Sequence, residues 1–348
     1  MFNDLRIAVD IGGTFTDVVL EEGGRRITRK LLTTPQRPEE AVLEGVHLIL
    51  GDAGKAFGDV GVFVHGTTLA TSAVIERHGG RTTLIAKEGF REVLDVGNES
   101  RYDQYDLGIE KPRPLVARAM RFTIPERMDV HGKVRLALDE GAVRALTKSL
   151  KAEGIESVAV AFMHSYVNPA HERRVREILK EELPELWVTL SSEVCPEVRE
   201  YERTSTAVAN AYVQPLMDSY LERMQAALAA EKFTGTIYLV TSGGGLTAIE
   251  TARRFPVRLV ESGPAGGAIF AAQVAARAGE ARALSYDMGG TTAKICLIDD
   301  YQPHTARVFE VDRAARFLKG SGLPVRIPVI EMVEIGAGGG SLARPAAL

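Results

Sequence analysis

The sequence predicts a mixed α/β protein made of two related lobes, and three observations carry that expectation. Stretches of period two alternate with stretches of period 3.6 along the 348 residues, which suits neither a helical bundle nor a sandwich. Asp10-Ile11-Gly12-Gly13-Thr14 and Asp287-Met288-Gly289-Gly290-Thr291 share the pattern Asp-apolar-Gly-Gly-Thr after an apolar strand, displaced by 287 − 10 = 277 positions. A fold duplicated with one hairpin per half has that signature. Finally, at roughly 150 residues per domain the length points to two domains or one divided unit.

The first strands are expected at Leu5–Val9, Thr16–Leu20 and Arg26–Leu31. Ile11 to Phe15 alone separates the first two, and Glu22-Gly23-Gly24 the next pair, so they read as consecutive antiparallel hairpins. Pro38-Glu39-Glu40 opens a helix to Leu50. Strands at Gly61–Val64 and Thr82–Ala86 come next. From about Glu99 to Lys133, with Pro112, Pro114 and Pro125, periodicity is lost, and the stretch reads as a long loop over the site. Asp139 is placed to cap a helix through Leu150. Beyond it the pattern gives strand Ser157–Phe162, helix Ala170–Leu183, strand Trp187–Ser191, helix Ser205–Ala230, strand Thr236–Val240 and helix Ala265–Ala278. The repeat hairpin, Ala283–Asp287 and Lys294–Ile298, closes the series. The division expected is residues 1–200 for an N-terminal lobe and 201–348 for the start of a second.

Apolar residues make up 45% of the chain and charged ones 25%, enough for a buried core. The net charge of −4, without long like-charge blocks, indicates neither nucleic acid nor a membrane surface as partner, so a small molecule is expected. Cys195 and Cys296 form no CxxC pair and suggest neither a disulfide framework nor a thiolate metal site. A cytoplasmic location is expected, since no apolar run approaches the ~20 residues of a membrane span.

Paired glycines let backbone N–H groups approach an anion unobstructed, and a following threonine adds a hydroxyl donor. Each Gly-Gly-Thr turn therefore reads as a phosphate cradle, and Asp10 and Asp287 read as carboxylates for Mg²⁺ or its waters. Two such cradles can grip one Mg-nucleotide. Lys294 stands where the first copy has Asp17 and either neutralises phosphate charge or is a solvated strand lysine. His65 follows a buried-looking strand at a strand-to-helix junction; it shuttles a proton or orients substrate, or else bonds to backbone. In Arg101-Tyr102-Asp103-Gln104-Tyr105-Asp106 a guanidinium is available to clamp a carboxylate, with a solvated loop as the alternative. Glu202-Arg203-Thr204-Ser205 reads as helix capping ahead of a ligand cluster. Glu261-Ser262-Gly263-Pro264 opens a small-residue helix that serves close packing, chemistry, or both.

Five segments together resemble one family: Asp10-Ile-Gly-Gly-Thr-Phe-Thr-Asp17, His65-Gly-Thr-Thr-Leu-Ala-Thr71, Glu261-Ser-Gly-Pro-Ala-Gly-Gly267, Asp287-Met-Gly-Gly-Thr-Thr-Ala-Lys294 and Glu334-Ile-Gly-Ala-Gly-Gly-Gly-Ser341. They are similar to the hydantoinase A / 5-oxoprolinase family and span nearly the whole chain. The resemblance implies the actin-like (ribonuclease H-like) fold of the actin, sugar-kinase and Hsp70 ATPases. It implies Asp10 through Thr16 as the first phosphate loop, Asp287 through Thr292 (Gly289, Gly290, Thr291, Thr292) as the second, and Gly336 through Ser341, with Gly338, Gly339 and Gly340, as an adenosine-side loop. Thr67 and Thr68 are expected near substrate, together with Arg101 and Tyr102. Ser72 stands where the family pattern has Asn. The implied activity is ATP- and Mg²⁺-dependent hydrolysis of a cyclic amide such as 5-oxoproline or a hydantoin, in which phosphorylation of the carbonyl oxygen makes it a leaving group. A ketone carboxylase subunit and a non-catalytic nucleotide-binding lobe are the competing readings. A hydantoinase B-type subunit or domain, or a second copy, is the implied partner. Family members run well beyond the glycine loop, so an incomplete second lobe is expected.

Overall fold

The structure, a computed structural model, describes residues 4–34, 36–98, 101–289, 293–315, 318–335 and 338–342. Alternation in Arg6–Ile11 (β1) buries Ile7, Val9 and Ile11 on one face, as a half-covered strand requires. Phe15–Glu22 (β2) and Arg25–Leu32 (β3) follow it as an antiparallel meander. On the other side of β1 lies Val62–Thr67 (β4), parallel to it and to Thr236–Val240. Leu246–Ala248 completes a six-stranded sheet in the order 246–248, 236–240, β4, β1, β2, β3.

Helix Pro38–Ala53 (α1) packs on β2 and β3, with Pro38 in its first turn and Gly54 ending it at φ 64°. Leu69–Ile75 (α2) leaves directly from β4. A second, all-parallel sheet runs in the order Trp187–Leu190, Ser157–Ala161, Thr82–Lys87 (β5), Arg121–Ile124 (β6). Helices Glu140–Ala152 and Ala170–Glu182 cover one face through Val143, Leu150, Val175 and Ile178. As expected, Asp139 caps the first of them, accepting the Ala142 N–H at 2.9 Å.

The central helix, Glu200–Ala230, fills the space between the two sheets. Every residue from Arg203 to Pro215 is buried, the mark of a helix enclosed on all sides. It begins at Glu200, a turn earlier than the pattern indicated, because tertiary burial extends it. Ser205, expected at its cap, therefore lies inside the helix. The division drawn at residue 200 also falls just before elements that are built into the first sheet and its core.

The expected loop from Glu99 to Lys133 is corrected in part. Residues 121–124 form β6, too short to show a period, and buried Arg121 anchors it by donating to the Val116 carbonyl at 3.1 Å and pairing with Asp95. Beyond the central helix, Ser262–Ala278 touches β4 near its start and then supports the repeat hairpin, Arg282–Met288 with Ala293–Asp299. Val333–Ile335 pairs with the second of those strands. This helix joins the two hairpins that carry the repeated motif.

Candidate functional site

The alternation that buries Ile7, Val9 and Ile11 turns Asp10 to the opposite, exposed face of β1. The Gly12 N–H donates to the Phe15 carbonyl at 2.9 Å and closes a turn with Gly13 and Thr14 at its exposed tip. A Cβ added at Gly13 would meet no atom within 4 Å, and its φ is not positive. Nothing inside the protein therefore demands glycine there. The loop is braced from beneath. The Thr33 hydroxyl donates to the Gly12 carbonyl at 2.9 Å, the Thr33 N–H donates to the Thr14 carbonyl at 2.9 Å, and Thr16 Oγ1 lies 3.0 Å from Thr33 Oγ1. Thr16 is fully buried, which corrects the expectation that it contacts a ligand; it holds the cradle in shape.

Asp10 lies against two other glycines. A Cβ on Gly66 would stand 2.5 Å from Asp10 Oδ1, and one on Gly263 would stand 3.3 and 3.4 Å from its two oxygens. The first turn of Ser262–Ala278 thus reaches the carboxylate of the first loop. Protein walls that strip water from this open-mouthed site raise the Asp10 carboxyl above its ordinary value, the charges of Asp17 and Asp287 raise it further, and Lys30 opposes them. Asp287, on the repeat hairpin, is near enough for its charge to act on Asp10.

The two hairpins match in register: Asp10 pairs with Asp17 as Asp287 pairs with Lys294. Their partners differ. Asp17 holds Lys30 at 2.8 Å, while Lys294 is ion-paired with Glu261 and stands 3.9 Å from Glu334. Glu261 adopts a left-handed backbone, φ 63°, uncommon for a residue with a side chain. Its N–H donates to Thr71 Oγ1 at 2.9 Å, and the next hydroxyl, Ser262, donates to the Thr67 carbonyl at 3.1 Å. Sequence reasoning gave Glu261 no role of its own. The signal available was an ionisable residue leading into Ser-Gly-Pro and a helix of small residues. The Gly339 N–H donates to the Gly289 carbonyl at 3.1 Å, which seats the third glycine loop on the second. Gly290, Thr291, Thr292 and Gly336 lie outside the described residues.

Other expectations are corrected. His65 is fully buried, its Nδ1–H donating to the Val9 carbonyl at 3.1 Å and its Nε2 accepting the Tyr220 hydroxyl at 2.7 Å. Burial pushes its pKa down to about 4. Both nitrogens are engaged on a neutral ring, so His65 secures β4 to β1 and the central helix and has no open edge for proton transfer. The Thr67 hydroxyl accepts the Leu69 N–H at 3.2 Å within its own turn, and Thr68 donates to the Ile11 carbonyl at 3.2 Å, tying α2 to the first loop. Tyr102 donates to the Glu110 carbonyl at 2.9 Å, and Arg101 is exposed. No hydrogen bond among the described residues joins either to the glycine turns.

The donors suit Mg²⁺: two like-charged carboxylates, with glycine walls that leave room, complement a cation that completes its shell with phosphate oxygens and water. Among the described residues no three His, Cys, Asp or Glu side chains gather to hold a metal, so the protein would supply part of that shell.

Residues 6–183 match the hydantoinase/oxoprolinase N-terminal region and residues 203–347 match the hydantoinase/oxoprolinase domain. The chain is 37% identical, over 97% of its length and 50% of the relative's, to the uncharacterized protein MJ0964 of Methanocaldococcus jannaschii. It is 30% identical to the caprolactamase subunit alpha of Pseudomonas jessenii, covering 97% of this chain and 48% of the relative. It is 29% identical to the acetophenone carboxylase gamma subunit of Aromatoleum aromaticum, covering 97% and 47%. The crystal structure of the ATP-dependent caprolactamase from Pseudomonas jessenii superimposes with a TM-score of 0.84 at 31% identity, covering 98% of this chain and 49% of that one. Nucleotide-free acetone carboxylase, at 24% identity and a TM-score of 0.84 over 96% of this chain and 48% of that one, has the same fold. The architecture is the actin-like ATPase type, and the chain spans about half the length of these relatives. From the repeated hairpins, the glycine-walled Asp10 and the match along both halves, the chain belongs to the hydantoinase/oxoprolinase family.

Proposed function

We propose that the chain is the nucleotide-binding part of an ATP- and Mg²⁺-dependent enzyme that opens cyclic amides of the 5-oxoproline, hydantoin or N-methylhydantoin type. The observation that carries this reading is the matched pair of hairpin carboxylates, Asp10 and Asp287, near enough that one charge raises the other's pKa. Likeness to an ATP-dependent caprolactamase supports the choice of a lactam.

An unstrained lactam resists water. Transfer of the terminal phosphoryl group to the amide oxygen leaves ADP and converts that oxygen into part of a phosphate leaving group. Water then adds to the carbon, the C–N bond breaks as the ring nitrogen takes up a proton and leaves an acyl phosphate, and a second water splits that acyl phosphate into carboxylate and phosphate. In this scheme the exposed Gly13–Thr14 tip and Gly289 approach the phosphates, Asp10 and Asp287 hold Mg²⁺, and Lys294, kept in place by Glu261, offsets transferring negative charge. Bound Mg²⁺ supplies charge neutralisation for the phosphoryl group. Gly338 to Gly340, resting on the second loop, line the adenosine side. A hydantoinase B-type subunit or domain, or a second copy, completes the assembly, in the cytoplasm.

The test is phosphate release from Mg-ATP with 5-oxoproline, hydantoins, caprolactam, and ketones plus bicarbonate, one at a time, with the B-type partner present. Release stimulated by a cyclic amide supports the proposal. Stimulation by ketones and bicarbonate alone reassigns the chain to carboxylation, and tight Mg-ATP binding with no stimulated release reassigns it to a nucleotide-binding scaffold.

A further inference from the structure

Followed residue by residue, the repeat reaches positions where its two copies part. Counted 277 positions on, Ile7, Val9, Ile11 and Leu20 become Leu284, Tyr286, Met288 and Leu297. The first four are at most 2% exposed, whereas the second four are 56%, 55%, 48% and 53% exposed. Pairing is the same in both copies: Leu20 lies opposite Ile7 as Leu297 lies opposite Leu284. The second set therefore shares one face of its hairpin, as the first does. Helix Ser262–Ala278 covers the other face, where Ala265 and Ala268 pack with Cys296.

In the first copy, α1 lies across the face that holds these residues, with Gly45 set against Val18. The chain then runs through Phe57–Asp59 into β4, which adds parallel to β1 with Phe63 beside Ile7 and His65 beside Val9. In the second copy Arg282–Met288 pairs with Ala293–Asp299 on one side and, among the described residues, with no strand on the other. Nor is that edge guarded. The outer strand β3 of the first sheet carries Arg25, Arg26, Arg29 and Lys30, charges of the kind that keep an open edge from pairing. Arg282–Met288 has only Arg282 at its start and Asp287 of the repeated motif. An apolar face continuous with an unguarded strand edge suits the addition of another segment.

We propose that this face and edge take a helix–strand unit built like Pro38–Thr67: an amphipathic helix laid across Leu284, Tyr286, Met288 and Leu297, and an apolar strand added parallel to Arg282–Met288. The polypeptide that supplies the unit corresponds to the half of the relatives' length that this chain does not span, and it binds without being joined to this chain. The surface needs that cover whichever reaction the protein performs.

The test is co-expression of the whole chain with an affinity-tagged polypeptide made of the half of the Methanocaldococcus jannaschii relative that it does not span. A one-to-one complex is expected, in which the amides of Arg282–Met288 exchange at least tenfold more slowly than in the chain alone while those of β1 are unchanged. Leu284→Glu combined with Leu297→Glu alters two side chains that are already exposed, so it should leave the melting temperature unchanged and abolish the complex. Failure of the complex to form, a complex that survives the double substitution, or exchange at Arg282–Met288 that does not slow overturns the proposal. So does a dimer of the chain alone that the double substitution dissociates, which would make a second copy the occupant.

Discussion

Gly66→Ala separates the placement of Asp10 from the stability of the fold. The residue lies in β4 with no positive φ, so the backbone tolerates alanine, and within a strand that change is favourable by about 0.5–1 kcal/mol. The added Cβ, however, would stand 2.5 Å from Asp10 Oδ1, where ordinary contact begins at 3.4 Å. The carboxylate must retreat by 3.4 − 2.5 = 0.9 Å. A displacement of about 1 Å in a reacting constellation costs on the order of 100-fold. Mg-ATP turnover is therefore expected to fall about 10- to 100-fold, with the melting temperature little changed. Parallel measurement of phosphate release, Mg-nucleotide affinity by calorimetry, and thermal unfolding checks this. Wild-type nucleotide affinity and turnover in a folded Gly66→Ala variant would refute the assignment of Asp10 to the metal.

Gly13→Ala meets nothing in the protein, so it should unfold like wild type yet bind nucleotide at least tenfold more weakly in calorimetry; unchanged affinity would mean no ligand reaches the tip. Because the Asp10 carboxyl is raised in the folded state, the native chain keeps that proton longer than the unfolded chain, and the stability it brings is complete below the unfolded value and lost as pH rises through the folded one. Asp10→Asn should flatten that decline in metal-free denaturation curves and weaken Mg-nucleotide binding together. His65 has the opposite sign: its pKa of about 4 against 6.5 when free gives stability that is full above pH 6.5 and is lost as pH falls toward 4, on the order of 3 kcal/mol. Urea unfolding at pH 7 and pH 4.5 should show that loss in wild type and a smaller one in His65→Gln, and equal losses would contradict the buried neutral ring. Lys294→Met should lower turnover more than Mg-nucleotide affinity, and equal effects would make the lysine a binding group alone.

Local pattern made the hairpins legible. Arg6–Ile11 alternates strictly, and the repeat 277 positions later marks Asp10, Gly13, Asp287 and Gly289 without any structure. Partners distant in sequence made the rest illegible. His65 looks available until Tyr220, 155 positions away, takes its second nitrogen. Thr16 looks like a phosphate donor until Thr33 folds beneath the turn. Nothing local announces the left-handed backbone at Glu261, because Thr71 and Lys294 hold that residue from other elements. The strand at 121–124 owes its existence to the open edge of β5, which composition does not display.

A clamp with identical jaws would accept a linear anion in either direction, since reversing the ligand would exchange equivalent contacts. These jaws reverse their charge at one matched position: Asp17, tied to Lys30, on one side, and Lys294, tied to Glu261, on the other. Each of these charges is held in an ion pair, with the lysine on the neighbouring strand on one side and on the hairpin itself on the other, so the two jaws place their positive ends differently. Repeats that have ceased to be identical would give a ligand gripped between them a direction, and with it a fixed side from which anything could approach its end.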